Sequence, residues 1–175
     1  FLSIALLAPL LSPYPASGAA GPALSGPCLA HPMGTNELGE DLWTKVAYGA
    51  RISLLVGLAT AVLAALLGTV VGTTAALAGG WIDRLLMRVI DIKLVMADLP
   101  LLIVIAAFFG PGLWTIILAL TLFSWAAPAR IVRSRVRAVR QQEYIRAAES
   151  YGAGTLYLLR RHLLPDLFPL IALAM

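Results

Sequence analysis

Between Glu143 and Pro165 the chain reads EYIRAAESYGAGTLYLLRRHLLP, a polar and basic island in a sequence that is 60% hydrophobic and 13% charged. Tyr144, Ala147, Ala148 and Tyr151 fall at i, i+3, i+4 and i+7, so a helix puts all four on one face. The chemistry of such a face is recognition, because small alanines between two tyrosines suit a shallow groove on a partner. Gly152 can take the left-handed conformation that ends the helix. Thr155 is placed to cap a second helix through Leu163, whose late Arg160, Arg161 and His162 suit its negative end, and Pro165 suits the first turn of a following span. A second group with chemical potential is Asp98 with Lys93 and Pro100, all inside an apolar stretch. A central charge in a span costs about 2.5 to 3.5 kcal/mol on insertion scales, so it faces protein or water. With Pro100 freeing a backbone carbonyl, Asp98 could line a polar pathway. The alternative, which the sequence favours, is that Asp98 pairs with a neighbouring subunit or sits nearer the membrane interface.

Bond-making chemistry has little support. The sequence contains no GxxxxGK[ST] phosphate loop, no HExxH zinc pair and no GxSxG nucleophile turn. Its one cysteine, Cys28, excludes an internal disulfide and a cysteine-cluster metal site. His31 and His162 are expected in different compartments, which argues against a two-histidine metal site. No cofactor is expected.

The elements that must hold these residues are membrane spans. A chain of 175 residues this apolar has more hydrophobic material than a soluble domain of its size can bury. The expected fold class is an all-α integral membrane protein, a polytopic helical bundle truncated at both ends and forming one transmembrane domain over residues 1–175. Residues 1–11 lack a basic n-region and read as a partial span rather than a signal peptide. Prolines 9, 13 and 15 stop it, and residues 12–51 form an external segment. Its first part, to about residue 33, is an irregular loop, and residues 36–51 are a short interfacial helix with Trp43 and Tyr48 at headgroup depth.

Residues 52–78 form the clearest span, free of charge and about 40 Å long. Within it, Gly68-Thr-Val-Val-Gly72 is a small-residue pattern that lets helix backbones approach closely. Gly79-Gly80 ends that span, and residues 81–91 form an amphipathic segment along the membrane. Residues 92–109 make the next span, Gly110-Pro111-Gly112 a turn, and residues 113–127 a short span with Trp114 and Trp125 at its interfaces. Residues 165–175 begin another.

Orientation follows from charge. Eight of the thirteen Lys and Arg residues lie between Arg130 and Arg161, beside apolar spans, which places 128–164 in the cytoplasm by the positive-inside rule. Counting back puts residues 79–91 inside and 12–51 outside. The outer segment carries Lys45 and Arg51 against Glu37, Glu40 and Asp41, as the rule requires. The formal charge of +4 is therefore topogenic or lipid-facing, with no nucleic acid as partner.

The order Ala147-Ala148, three residues, Gly152, then Leu164-Pro165 resembles the EAA loop of permease subunits in bacterial binding-protein-dependent ABC importers. His31-Pro-Met-Gly-Thr35 with Leu38-Gly39 and Asp41, then Tyr48-Gly-Ala-Arg-Ile-Ser-Leu54, and Arg160-Arg-His-Leu-Leu-Pro165 point to the dipeptide, oligopeptide and nickel branch. The resemblance covers nearly the whole chain. It implies a multi-pass protein of the bacterial inner membrane that forms part of a translocation pathway for peptides or a related small solute.

Its implied partners are ABC ATPase subunits, a second permease subunit, an external substrate-binding protein and membrane lipid. The resemblance makes residues 143–164 the coupling loop, with Glu143, Tyr144, Ala147, Ala148, Tyr151, Gly152 and Pro165 as coupling residues. The permease would have no ATPase site of its own. ATP binding would close the paired ATPases, move the docked helices and open the pathway to alternate sides. Two departures stand out: Arg146 replaces the glutamate that names the motif, and Glu40 replaces the usual arginine of the Gly-Arg-Asp segment. The rival is a secondary transporter or channel subunit using Asp98 and Lys93, which would go on transporting after ATP depletion. A membrane-bound enzyme in segment 12–51 would need a convergent acid, base and nucleophile, which that segment lacks.

Overall fold

Helix starts and stops in this protein are set by three kinds of residue: a capping aspartate, glycines and two prolines. The computed structural model describes residues 14–15, 18–110 and 112–151, with 146–149 described as backbone only. Among them are the helices α1 (Leu42–Ala78), α2 (Gly80–Val95), α3 (Asp98–Phe109), α4 (Leu113–Ser124), α5 (Ala126–Arg140) and α6 (Glu143–Ser150). The only pairing of β type in these residues is an isolated bridge between Thr35 and Asp41. The chain divides into two compact units between Gly57 and Leu58.

In the first unit, the loop before α1 is tied by side chains. Asn36 Oδ1 accepts hydrogen bonds from the backbone N–H groups of Leu38 and Glu40, both at 2.9 Å, and its Nδ2 donates to Glu40 Oε2 at 2.6 Å. The Thr35 hydroxyl donates to the Pro22 carbonyl and accepts from the Ser25 N–H. These bonds stand in for the ladder that a loop lacks. Asp41 then caps α1, accepting from the Thr44 N–H at 2.8 Å through Oδ2, so one of the first-turn donors is satisfied.

The sequence suggests a separate interfacial helix over 36–51, and here the structure differs. Residues 36–40 are turns, and from Leu42 the helix continues without a break to Ala78. Nothing between Gly49 and Ile52 breaks it, since a single glycine in a helix costs only about 1 kcal/mol. This helix is long and apolar enough to cross a membrane, with a mean hydropathy of 2.5 in its best window.

In the second unit, α1 ends at a glycine pair in the left-handed half of backbone space, Gly79 at φ 61° and Gly80 at φ 53°, a region costly for any residue with a Cβ. The chain leaves that pair as α2, a helix of its own that contains the amphipathic segment 81–91 and runs four residues further, to Val95. The expected span 92–109 is divided: α2 stops at Val95, α3 starts at Asp98, and the two are bent by 89°. Pro100 explains the position of the break. Its missing N–H and its ring exclude a helical bond to the carbonyl four residues back, that of Met96. Pro128 does the same to Ser124, the last residue of α4, and α4 and α5 are bent by 42° there. Each proline occupies the third position of the helix it opens, where its lack of an N–H is harmless. If each bent pair counts as one span, the described residues hold three helices of membrane-crossing length and composition.

The core of this unit is small-residue packing. Ile90, Ala126 and Ala129 are buried, with Val71, Met87 and Trp125 against them, which joins α1, α2 and α5. Gly68 and Gly72 let α1 approach α5. A Cβ on Gly68 would stand 2.7 Å from Pro128 Cβ and 2.9 Å from the Ala129 nitrogen. The close approach expected from the Gly68-Gly72 spacing is present.

Candidate functional site

Helix α6 is short, eight residues from Glu143 to Ser150. It follows α5 after Gln141 and Gln142, whose N–H groups bond to the Ala138 and Val139 carbonyls. Ile145 is its anchor, 1% exposed, while Tyr144 and Tyr151 are exposed. Alternation of this kind gives α6 one face fixed to the protein and another turned away from it. The backbone of Ala147 and Ala148 is helical, as the spacing predicts. The side chains of residues 146–149, together with Gly152 and Pro165, lie outside what the structure describes. The signal for Ile145 in the sequence is its place next to Tyr144, which puts it off the tyrosine face.

Asp98 sits at the first position of α3, just beyond the break. Lys93, in the last turn of α2, reaches across with Nζ 3.0 Å from Asp98 Oδ1 and 3.3 Å from Oδ2. The same ammonium lies 5.7 Å from the centre of the Phe123 ring, within cation–π range. Asp98 therefore pairs within its own chain. Pro100 creates the turn that makes this pair possible. Between α3 and α4 is an apolar cleft of about 290 Å³, lined by residues including Ile105, Phe109, Trp114 and Leu118.

The strongest polar cluster was missed from the sequence. Asp83, in the first turn of α2, is 4% exposed. It accepts from Arg133 Nε and from Arg133 Nη2, the latter at 2.7 Å, and from Arg137 Nη2 at 2.6 Å. Arg130 pairs with Asp91 further along the same two helices. By charge placement alone these arginines read as topogenic or lipid-facing. Their spacing of three and seven, matched by two aspartates eight apart, is the signal that could have revealed the clasp.

In the first unit, Asp41 holds a second polar centre. Its Oδ1 lies 3.1 Å from His31 Nδ1, and its Oδ2 accepts from the Thr44 hydroxyl at 2.7 Å. Burial works to raise the Asp41 carboxyl, but hydrogen bonds from Thr44 and His31 outweigh it and hold it below its ordinary value. Glu40 is likewise lowered, first by Lys45 and then by Asn36. His31 and Tyr14 stack with ring centres 4.9 Å apart. The motif residues His31, Thr35 and Asp41 thus build the loop that starts α1.

One long apolar helix, two proline-broken helix pairs and interhelical charge clasps fit an all-α membrane protein. Residues 64–175 match the family described as the binding-protein-dependent transport system inner membrane component, and the chain belongs to that family. It is 42% identical over 140 residues to the dipeptide transport system permease protein DppC of Bacillus subtilis strain 168, an alignment covering 80% of this chain and 44% of that protein. With the protein of the same name from Alkalihalophilus pseudofirmus it shares 37% identity over 177 residues, covering 99% of this chain and 58% of the relative. The chain spans about half the length of these curated relatives.

Proposed function

We propose that this chain is part of the membrane-spanning subunit of an ATP-driven importer for peptides or a related small solute. It passes the bacterial inner membrane several times, with residues 12–51 outside and 128–164 in the cytoplasm. Its partners are ABC ATPase subunits, a second permease subunit and an external substrate-binding protein. ATP is hydrolysed by the ATPase partner, and this chain contributes transport. Family membership and the names of the relatives support the activity. The local feature that carries the coupling role is α6, a short helix pinned by Ile145, with Tyr144 on it and Tyr151 just after it both exposed.

On this reading Glu143, Tyr144, Ala147, Ala148 and Tyr151 meet the ATPase, Gly152 ends the docking helix, and Pro165 returns the chain to the membrane. Movement of α6 under ATP tilts the helices and changes access to the pathway. Asp98 and Pro100 mark the polar break that faces that pathway. The decisive test is Ala148→Arg in the full-length protein. It is expected to abolish ATP-driven uptake while membrane insertion is retained, and normal uptake by the variant would refute the docking role.

A further inference from the structure

Arg130, Arg133 and Arg137 share a face of α5, and their partners on α2 come in reverse order. Arg130 meets Asp91, whereas Arg133 and Arg137 both meet Asp83. The two helices therefore run antiparallel, and the Asp83 end of the pairing is the end at which α5 leads into α6. The two ends are unequal. Arg130 and Asp91 are about half exposed, at 50% and 53% of their side chains, and share a single bond. Asp83 is buried and accepts three, two of them from the fork of one guanidinium. A fork fixes orientation as well as separation, which a single-point ion pair does not. Just before Asp83 the backbone passes through Gly79 and Gly80, where an added Cβ would meet nothing within 4 Å. The head of α2 thus has open space around its turn, and Asp83 binds it to the tail of α5.

We infer that Asp83 is a positioning residue for coupling. By holding Arg133 and Arg137 it makes α2 travel with α5 when α6 is displaced, so that the movement reaches the Met96–Ala97 break. Without the clasp, only the Ile90–Ala126–Ala129 packing and the exposed Arg130–Asp91 pair would join the two helices, and most of the displacement would stay on the cytoplasmic side. The inference rests on the proposed docking of α6, and the two ideas are separable by experiment.

The experiment uses the full-length importer, assembled with its ATPases and second permease, in a Cys28→Ser background. Spin labels at Val89→Cys on α2 and Phe108→Cys on α3 report the distance across the break, with and without ATP and vanadate. Gln142→Cys, exposed just before α6 and outside the named docking residues, is cross-linked to the ATPase and reports docking. We expect a nucleotide-dependent distance change in the parent, loss of at least three quarters of it in Asp83→Asn, and partial recovery in Asp83→Glu, with the cross-link kept throughout. An unchanged distance response in Asp83→Asn, or no response in the parent while the cross-link forms, overturns the inference. Failure of the parent to cross-link overturns the docking role instead. If Asp83→Asn does not assemble, Arg137→Gln removes one of the three bonds and is expected to halve the response. A full response there also overturns the inference.

Discussion

Gly72 of α1 and Ala129 of α5 meet backbone to backbone: a Cβ on Gly72 would collide with the Ala129 carbonyl oxygen and stand 3.0 Å from Val132 Cβ. The neighbour in closest conflict is main chain, which cannot rotate away. Gly72→Ala is therefore expected to destabilise by about 1 to 3 kcal/mol, the usual cost of overpacking. Gly57 lies in the same helix with nothing within 4 Å of an added Cβ, so Gly57→Ala should stabilise by up to about 1 kcal/mol through helix propensity alone. Thermal denaturation in detergent, with the two variants compared to the parent, checks the contrast. Equal midpoints would show that α1 and α5 do not pack as described.

The capping centre predicts a pH dependence. Asp41 has its carboxyl lowered by Thr44 and His31 against the opposing effect of burial, so the folded chain binds its proton less readily than the unfolded chain does. The stability this contributes is present above the ordinary aspartate value of about 3.9. It is lost as pH falls through the lower folded value. Asp41→Asn should remove this acid-side loss and cost about 1 kcal/mol at neutral pH, because hydrogen bonds to a charged acceptor are stronger than those to a neutral amide by about that much. Hydrogen exchange at Thr44 between pH 3 and 7 is the measurement. A parent and variant with the same pH slope would contradict the assignment.

How far the sequence carried the fold depends on whether a feature is local. The Gly68-Gly72 approach, the glycine stop after Ala78 and the helical backbone of Glu143–Ser150 all depend on residues within a few positions of one another, and each is present. The helix that holds residues 52–78 begins earlier, at Leu42, because it starts where Asp41 can cap it and not where hydrophobicity rises. Pro100 announces a freed backbone carbonyl in the sequence, whereas the size of the bend, 89°, is not a local property of that residue. The Asp83 clasp joins residues 50 and 54 positions apart. Charge counting explains why arginines gather there, but only the antiparallel packing of α2 and α5 selects their partner.

The Lys93–Asp98 pair separates stability from transport. Asp98 is half exposed, with 52% of its side chain accessible, and exposed ion pairs contribute about 0 to 1 kcal/mol. Asp98→Asn should therefore change the denaturation midpoint little. If Asp98 faces the pathway, uptake should fall several-fold while the amount of inserted protein stays constant. Uptake unaffected by the substitution would assign Asp98 to the bend alone.

Anchoring and recognition on α6 should likewise come apart. Ile145 is 1% exposed, and Ile→Ala at a buried site costs about 2 to 5 kcal/mol. That loss is expected to fall on the attachment of α6 to α5, because α6 has too few residues to persist as a helix once released. Amide exchange in residues 143–150 should accelerate in Ile145→Ala, with little change in α1. Tyr151, 91% exposed, has almost no buried area to lose, so Tyr151→Ala should alter stability by no more than about 0.5 kcal/mol. Its effect should appear in the ATPase recovered with the purified permease, since an exposed tyrosine is the kind of side chain that contributes strongly once a partner covers it. A Tyr151→Ala variant that retains its full complement of ATPase would move the docking surface away from this face of α6. The same result in Ile145→Ala would show that docking does not require α6 to be held in place.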